Sequence, residues 1–150
     1  VNVPDGEIFT SPIENSANGH VHFTYPTIYE GFEVNNVRLE FKDGKCVKAT
    51  ADKNEEYLNQ KLDIDAGARY LGEFAIGTNE RINRFTGQIL FDEKIGGSFH
   101  MALGHGYPEA KSENMNSAIH WDMICDLRNG GEITVDGELF YKNGKFAIDF

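Results

Sequence analysis

Three turn dipeptides, Asp43-Gly44, Asp136-Gly137 and Asn143-Gly144, each sit between short runs in which apolar and polar residues alternate. Two-residue hairpin turns need positive φ at both positions, which favours Asn or Asp followed by Gly. The alternation has the period of strands with one buried face. Residues 36–41 and 46–50 therefore predict one hairpin, and residues 132–135, 139–141 and 146–150 a three-strand meander. The best helical stretch is 53–62, with Asp52 as its cap and Glu55 closing a capping box. A weaker one covers 87–95. The expected class is α+β: a strand-dominated mixed or antiparallel sheet with one or two short helices, forming a single domain over residues 1–150.

That length suffices to bury one substantial core without disulfide or metal staples. Fourteen Lys and Arg face twenty-four Asp and Glu, a formal net charge of -10. Such an acidic surface repels phosphate backbones and anionic lipid, which argues against nucleic acid and membrane as partners. No apolar run approaches the roughly 20 residues of a membrane-spanning helix. The start, Val1-Asn2-Val3-Pro4-Asp5, has neither a basic nor an apolar leader segment and no initiator Met. It reads as a chain entered midway, a mature fragment or one half of a longer protein. Cys46 and Cys125 are far apart in sequence, and neither has the close partner a zinc ribbon needs. Two buried free thiols in a reducing, cytoplasmic compartment are expected.

Candidate chemistry is densest at Ile119-His120-Trp121-Asp122-Met123. Side chains of a strand alternate faces. His120 and Asp122 would then project together, with Ile119, Trp121 and Met123 turned to the core. A His-x-Asp pair can hold a divalent ion through a nitrogen and a carboxylate oxygen, although the same spacing also arises as a surface His beside an acid. His100 lies in an apolar segment bracketed by Gly97 and Gly104, as a core histidine or a ligand. His105, between two glycines, reads as a loop bystander, and Tyr107 before Pro108 as a packed aromatic or a phenol aimed into a cleft. Glu73 interrupts the apolar run 70–77, where a carboxylate is costly unless paired or bound to metal. Glu7 follows a turn signal and opens an apolar strand, on either the solvent side or the site side. Glu7, Glu73, His100, His120 and Asp122 together offer three carboxylates and two imidazoles, an inventory suited to two divalent ions sharing a bridging carboxylate.

Four runs, taken in order, carry a resemblance. They are Pro4-Asp5-Gly6-Glu7-Ile8-Phe9-Thr10-Ser11-Pro12, Gly72-Glu73-Phe74-Ala75-Ile76-Gly77, His100-Met101-Ala102-Leu103-Gly104 with Tyr107-Pro108, and Ala118-Ile119-His120-Trp121-Asp122. Together they resemble successive motifs of the M29 metallopeptidases, the thermophilic aminopeptidases, over nearly the whole chain. The resemblance implies an exopeptidase that removes N-terminal residues from peptides with two divalent ions, zinc or cobalt, or else magnesium. It implies Glu7, Glu73, His100, His120 and Asp122 as metal ligands, with Glu73 bridging, and Tyr107 as a catalytic group that holds the substrate or polarises its carbonyl. Family members resemble two-domain cytoplasmic homodimers whose N-terminal α/β domain precedes the stretch matched here. The proton-transferring carboxylate is expected at Glu80 or Glu109, or in that other domain. Two further readings remain at this level: a metal-binding but inactive domain, and a metal-free β-rich interaction domain using Tyr25, Tyr29, Phe32 and Trp121.

Overall fold

The computed structural model describes residues 3–148. Strands β1 (Glu7–Thr10), β2 (Gly19–His22), β3 (Thr27–Tyr29), β4 (Phe32–Val34), β5 (Arg38–Lys42) and β6 (Lys45–Thr50) lead into helix α1 (Glu55–Leu62). Next come β7 (Leu71–Gly77), the single-turn helix α2 (Ile89–Asp92), β8 (Ser98–Gly104), a 3-10 turn at Pro108–Ala110 and β9 (His120–Asp126). Strands β10 (Glu132–Val135), β11 (Glu138–Lys142) and β12 (Lys145–Phe146) close the chain. The central sheet has the order β1-β7-β8-β9, flanked by β10-β11-β12, β2-β5-β6 and the pair β3-β4. The fold is the expected α+β type, and its strand ladders are antiparallel.

The turn signals act as anticipated. Asp43 and Gly44 (φ 49 and 85), Asp136 and Gly137 (53 and 85), and Asn143 and Gly144 (50 and 82) all adopt left-handed backbone. At Gly44 a Cβ would also lie 1.9 Å from the Glu14 carbonyl oxygen, so glycine is required on two counts. The last strand is shorter than the sequence suggests, ending at Phe146, and Asp149 and Phe150 lie outside the described residues.

Both helix expectations need correction. Helix α1 starts at Glu55 behind Asn54, whose φ of 58 and lack of a side-chain cap bond rule out the anticipated cap. Asp52 instead accepts hydrogen bonds from Asn36 and Arg38, while the Glu55 carboxylate receives the Ala51 amide. Leu58 and Leu62 anchor the helix in the core. Over 87–95 only Ile89–Asp92 is helical. Gly87 turns left-handed at φ 78, and the Asp92 carboxylate draws back the amide and hydroxyl of Thr86, closing the chain into one turn.

The two faces of the central sheet are chemically opposite. On β9, Trp121 and Met123 join Leu103, Leu71, Phe23 and Leu58 in the main core. Trp121 Nε1 donates to Thr27 Oγ1 at 2.7 Å, and Tyr29 stacks on its ring at 4.8 Å, so Trp121 is interior with Tyr29 half-buried against it, whereas Phe32 is 49% exposed. The other face carries Glu7, His100, His120 and Asp122, because the register pairs Glu7 with Gly77, Ala75 with His100, Ala102 with Asp122 and Gly104 with His120.

Glu73 reaches that face only through a bulge. Leu71 pairs with Leu103 on the core side, yet Glu73 pairs with Ala102 on the site side, the register slipping by one residue across Gly72. In regular pleat Leu71 and Glu73 would share a face, and the carboxylate would enter the apolar core. The bulge inverts it. Gly72 permits this, since a Cβ there would sit 2.4 Å from the Gly104 carbonyl oxygen. Gly72→Ala is therefore expected to lower stability by about 1–3 kcal/mol, the usual cost of overpacking, read from urea denaturation. An unchanged midpoint would show that the strand absorbs the methyl group without moving.

Candidate metal centre

Five side chains from four segments meet on the site face of the central sheet. His100 Nε2 lies 3.2 Å from Glu7 Oε2 and 3.6 Å from Glu73 Oε1. His120 Nε2 lies 3.3 Å from Glu73 Oε2 and 3.4 Å from Asp122 Oδ1. The two oxygens of Glu73 thus address different imidazoles, one in company with Glu7 and the other with Asp122. Burial is deep: His100 is 1% exposed and Glu73 4%.

Backbone ties position each member. His120 Nδ1 lies 2.6 Å from the His105 carbonyl oxygen. A carbonyl can only accept, so Nδ1 carries a proton and Nε2 is the nitrogen turned toward the acids. His105 itself, expected to be a loop bystander, is half-buried and matters through its carbonyl. Glu7 is set by the strand-entry turn: Thr78 N donates to Gly6 O, and Asn79 Nδ2 to Asp5 O. Asn79 N also holds Lys94 O, which draws the segment after α2 against the start of β1.

That segment supplies a carboxylate the sequence reading missed. Glu93 is buried, and its ligand atom lies within 4.8 Å of those of Glu7 and His100. Lys94, also buried, forms an ion pair with Glu93 and approaches Glu7 at 3.5 Å. A signal existed in Asp92-Glu93-Lys94, three consecutive charges between apolar Phe91 and Ile95, all three of which are buried. The anticipated proton-transfer candidates Glu80 and Glu109 are both exposed.

The electrostatics are those of a site short of positive charge. Burial alone would lift the Glu73 carboxyl, but the flanking imidazoles hold it down at about 2. Burial would likewise depress His100 and His120, yet Glu7 and Glu73 raise the first to about 10, and Asp122 and Glu73 raise the second to about 11. Burial, joined by the charges of Glu7 and Asp122, pushes Glu93 above its usual range against the hydrogen bond from Lys94. Tyr107 stands at the mouth, its hydroxyl 3.4 Å from His120 Nε2 and its ring edge-on to Phe9 at 5.6 Å. Burial and the surrounding carboxylates push its phenol up to about 12.

A divalent cation fits this donor set. Glu7 Oε2, both ring nitrogens of His100 and Asp122 Oδ1 are buried without an aligned hydrogen-bond partner. Buried polar atoms left in that state are costly, and His100 Nε2 among them faces Glu7 Oε2 while Asp122 Oδ1 faces His120. Ligand atoms of Glu73, His100 and Asp122 also lie within 4.8 Å of one another. Mixed imidazole and carboxylate donors suit zinc, cobalt and related ions.

Comparison with known proteins agrees with this chemistry. Residues 1–146 match the thermophilic metalloprotease (M29) family. The chain belongs to that family. It is 34% identical to "Aminopeptidase 2" of Geobacillus stearothermophilus, over 99% of this chain and 40% of the relative. It is also 34% identical to "Aminopeptidase T" of Thermus thermophilus, over 95% of this chain and 37% of the relative. The chain thus spans about two fifths of the length of these M29 relatives. The structure of wild-type AmpT from Thermus thermophilus superposes with a TM-score of 0.85 at 26% identity, covering 98% of this chain and 41% of that one. A 2,5-dihydroxypyridine dioxygenase from Pseudomonas putida KT2440 shares the fold, with a TM-score of 0.73 at 17% identity over 94% of this chain and 43% of that one. Among the described residues Cys46 and Cys125 are free thiols; Cys46 is buried as expected, whereas Cys125 is only half-buried. No helix among them is long and apolar enough to cross a membrane.

Because the acids keep His100 and His120 protonated at neutral pH, an ion taking their place must displace those protons. Calorimetric zinc titrations at pH 7 in buffers of different ionisation enthalpy should show net proton release, and affinity should weaken as pH falls. Zinc binding without proton release would mean that the imidazoles are not ligands.

Proposed function

We propose that this chain is the metal-binding part of a metallo-aminopeptidase, a single domain that hydrolyses N-terminal residues from peptides through a dinuclear centre. The observation carrying this reading is Glu73, whose two oxygens each approach a different imidazole. Two divalent ions would be held by Glu7 and His100 on one side and by His120 and Asp122 on the other, with Glu73 between them. Zinc or cobalt fits both halves, and magnesium is the harder alternative. Divalent ions held there supply the Lewis acidity that polarises a scissile carbonyl and eases deprotonation of water.

The chain's own residues divide the remaining work. His105 and the central sheet hold the imidazoles in place, so that little reorganisation accompanies reaction. Glu93, inside the cluster but bonded to Lys94 rather than to an imidazole, is placed to accept a proton and return it to the leaving amine. Tyr107 remains protonated at working pH and can donate a hydrogen bond to a substrate carbonyl. The acidic groups around the centre favour a substrate arriving with a free, positively charged amine. We assign the intact protein to the cytoplasm as a homodimer, with peptides rather than nucleic acid or membrane as its partners.

The test is metal analysis coupled to a leucine-anilide assay on the intact protein. Two ions per chain are expected. Glu73→Gln and His120→Ala should each lower turnover by about 100-fold or more while the circular dichroism spectrum stays native. Two bound ions with no turnover would favour a binding role for the same cluster, and wild-type turnover by either variant with unchanged metal would remove these residues from the centre.

A further inference from the structure

One cation in the cluster is neither an imidazole nor a metal ion. Lys94 is 1% exposed, and its ammonium donates to the Glu93 carboxylate and lies 3.5 Å from Glu7 Oε1. Glu7 is thereby divided: Oε1 faces the lysine, and Oε2 faces His100 Nε2 at 3.2 Å. The backbone behind the lysine is fixed. Asn79 N donates to the Lys94 carbonyl at 3.0 Å, and Lys94 N to the Phe91 carbonyl at 3.1 Å. The register pairs Glu7 with Gly77, and a Cβ at Gly77 would collide with the Ile95 carbonyl oxygen. The missing side chain lets residues 94 and 95 pack directly on that pair, which sets the ammonium beside Glu7. The other side of the centre is built differently. Among the described residues, Glu73 and Asp122 form ion pairs with the imidazoles alone.

We infer that Lys94 makes the two ion positions unequal: the His120–Asp122 side fills first and tightly, and the Glu7–His100 side fills second and holds the exchangeable ion. The inference rests on the dinuclear reading above. An ammonium is a compact point charge. In the metal-free protein it supplies part of the positive charge that Glu7 and Glu93 need at close range, and removing one partner of such a buried pair strands the other. Once an ion arrives on that side, the same ammonium becomes a competitor. It engages one of the two Glu7 oxygens, and like charges at short range repel more strongly inside a protein than in water. An ion between His120 and Asp122 meets no such neighbour. Lys94 is thus a positioning residue with two opposed effects: it steadies the site without metal and loosens one ion when metal is bound. Turnover then follows the free metal concentration over the range in which the second position fills.

The experiment titrates zinc into the metal-free intact protein by calorimetry at one fixed pH, with thermal unfolding of the metal-free form as the second readout. Wild type should bind two ions whose dissociation constants differ by about 10-fold or more. Glu7→Gln should remove the weaker step while the tighter one persists. In Lys94→Met the weaker step should tighten by about 10-fold while the tighter one hardly moves. The Tm of metal-free Lys94→Met should fall by about 5 °C or more, because the buried acids lose their partner. Lys94→Gln, which keeps a donor for Glu93 without the charge, should tighten the same step with a smaller loss of Tm. These opposite signs separate the assignment from a purely structural lysine, whose removal would weaken both steps along with the fold. Two steps of equal affinity in wild type, loss of the tighter step in Glu7→Gln, or a wild-type ratio in Lys94→Gln would each overturn the assignment and leave the aminopeptidase reading intact. Fewer than two ions per wild-type chain would overturn the dinuclear centre, and the assignment with it.

Discussion

Four carboxylates, from Glu7, Glu73, Glu93 and Asp122, crowd around two imidazoles and one lysine on one face of a sheet. Acids packed so closely and so far from water repel one another and need positive charge at short range. That demand accounts for the protonated histidines, for the entombed lysine, and for the donor atoms left without aligned partners. It also accounts for the segregation of the sheet, whose opposite face is filled by Trp121, Met123, Leu103 and Leu71 and supplies the hydrophobic burial that a charged face cannot.

The geometry depends on ties that are modest one by one. The carbonyl of His105 selects the tautomer of His120. Asn79 joins the turn before β1 to the backbone of Lys94, so that Glu7 and Glu93, distant in the chain, share one location. Antiparallel pairing does the rest, stacking Ala75, His100 and Ile124 in one row and Ala102 beside Asp122 in the next. Rigid strands rather than loops carry the donors, which keeps their separations set before any ion or substrate arrives.

Much of this was legible in the chain. Asp-Gly and Asn-Gly turns announced the hairpins because few other residues tolerate their backbone, and the period of β9 separated His120 and Asp122 from Trp121 and Met123. Glu73 stood out as a carboxylate in apolar company. What remained hidden depended on long-range contacts. Nothing local tells that Asp52 prefers Arg38 to a helix end, or that Asp92 would pull Thr86 back and leave α2 a single turn. Glu93 escaped notice because its neighbours Asp92 and Lys94 made it resemble part of a solvated charge run, whereas all three are enclosed. The role of His105 lay in its carbonyl, which side-chain patterns do not report.

The slip in register at Gly72 has a wider meaning. The extra residue lets Leu71 and Glu73, two positions apart, turn to opposite faces, so that one strand serves the core before the bulge and the two imidazoles after it. Where a single strand must face apolar packing at one end and charge at the other, an irregularity in its pleat changes the alternation while the ladder on either side continues.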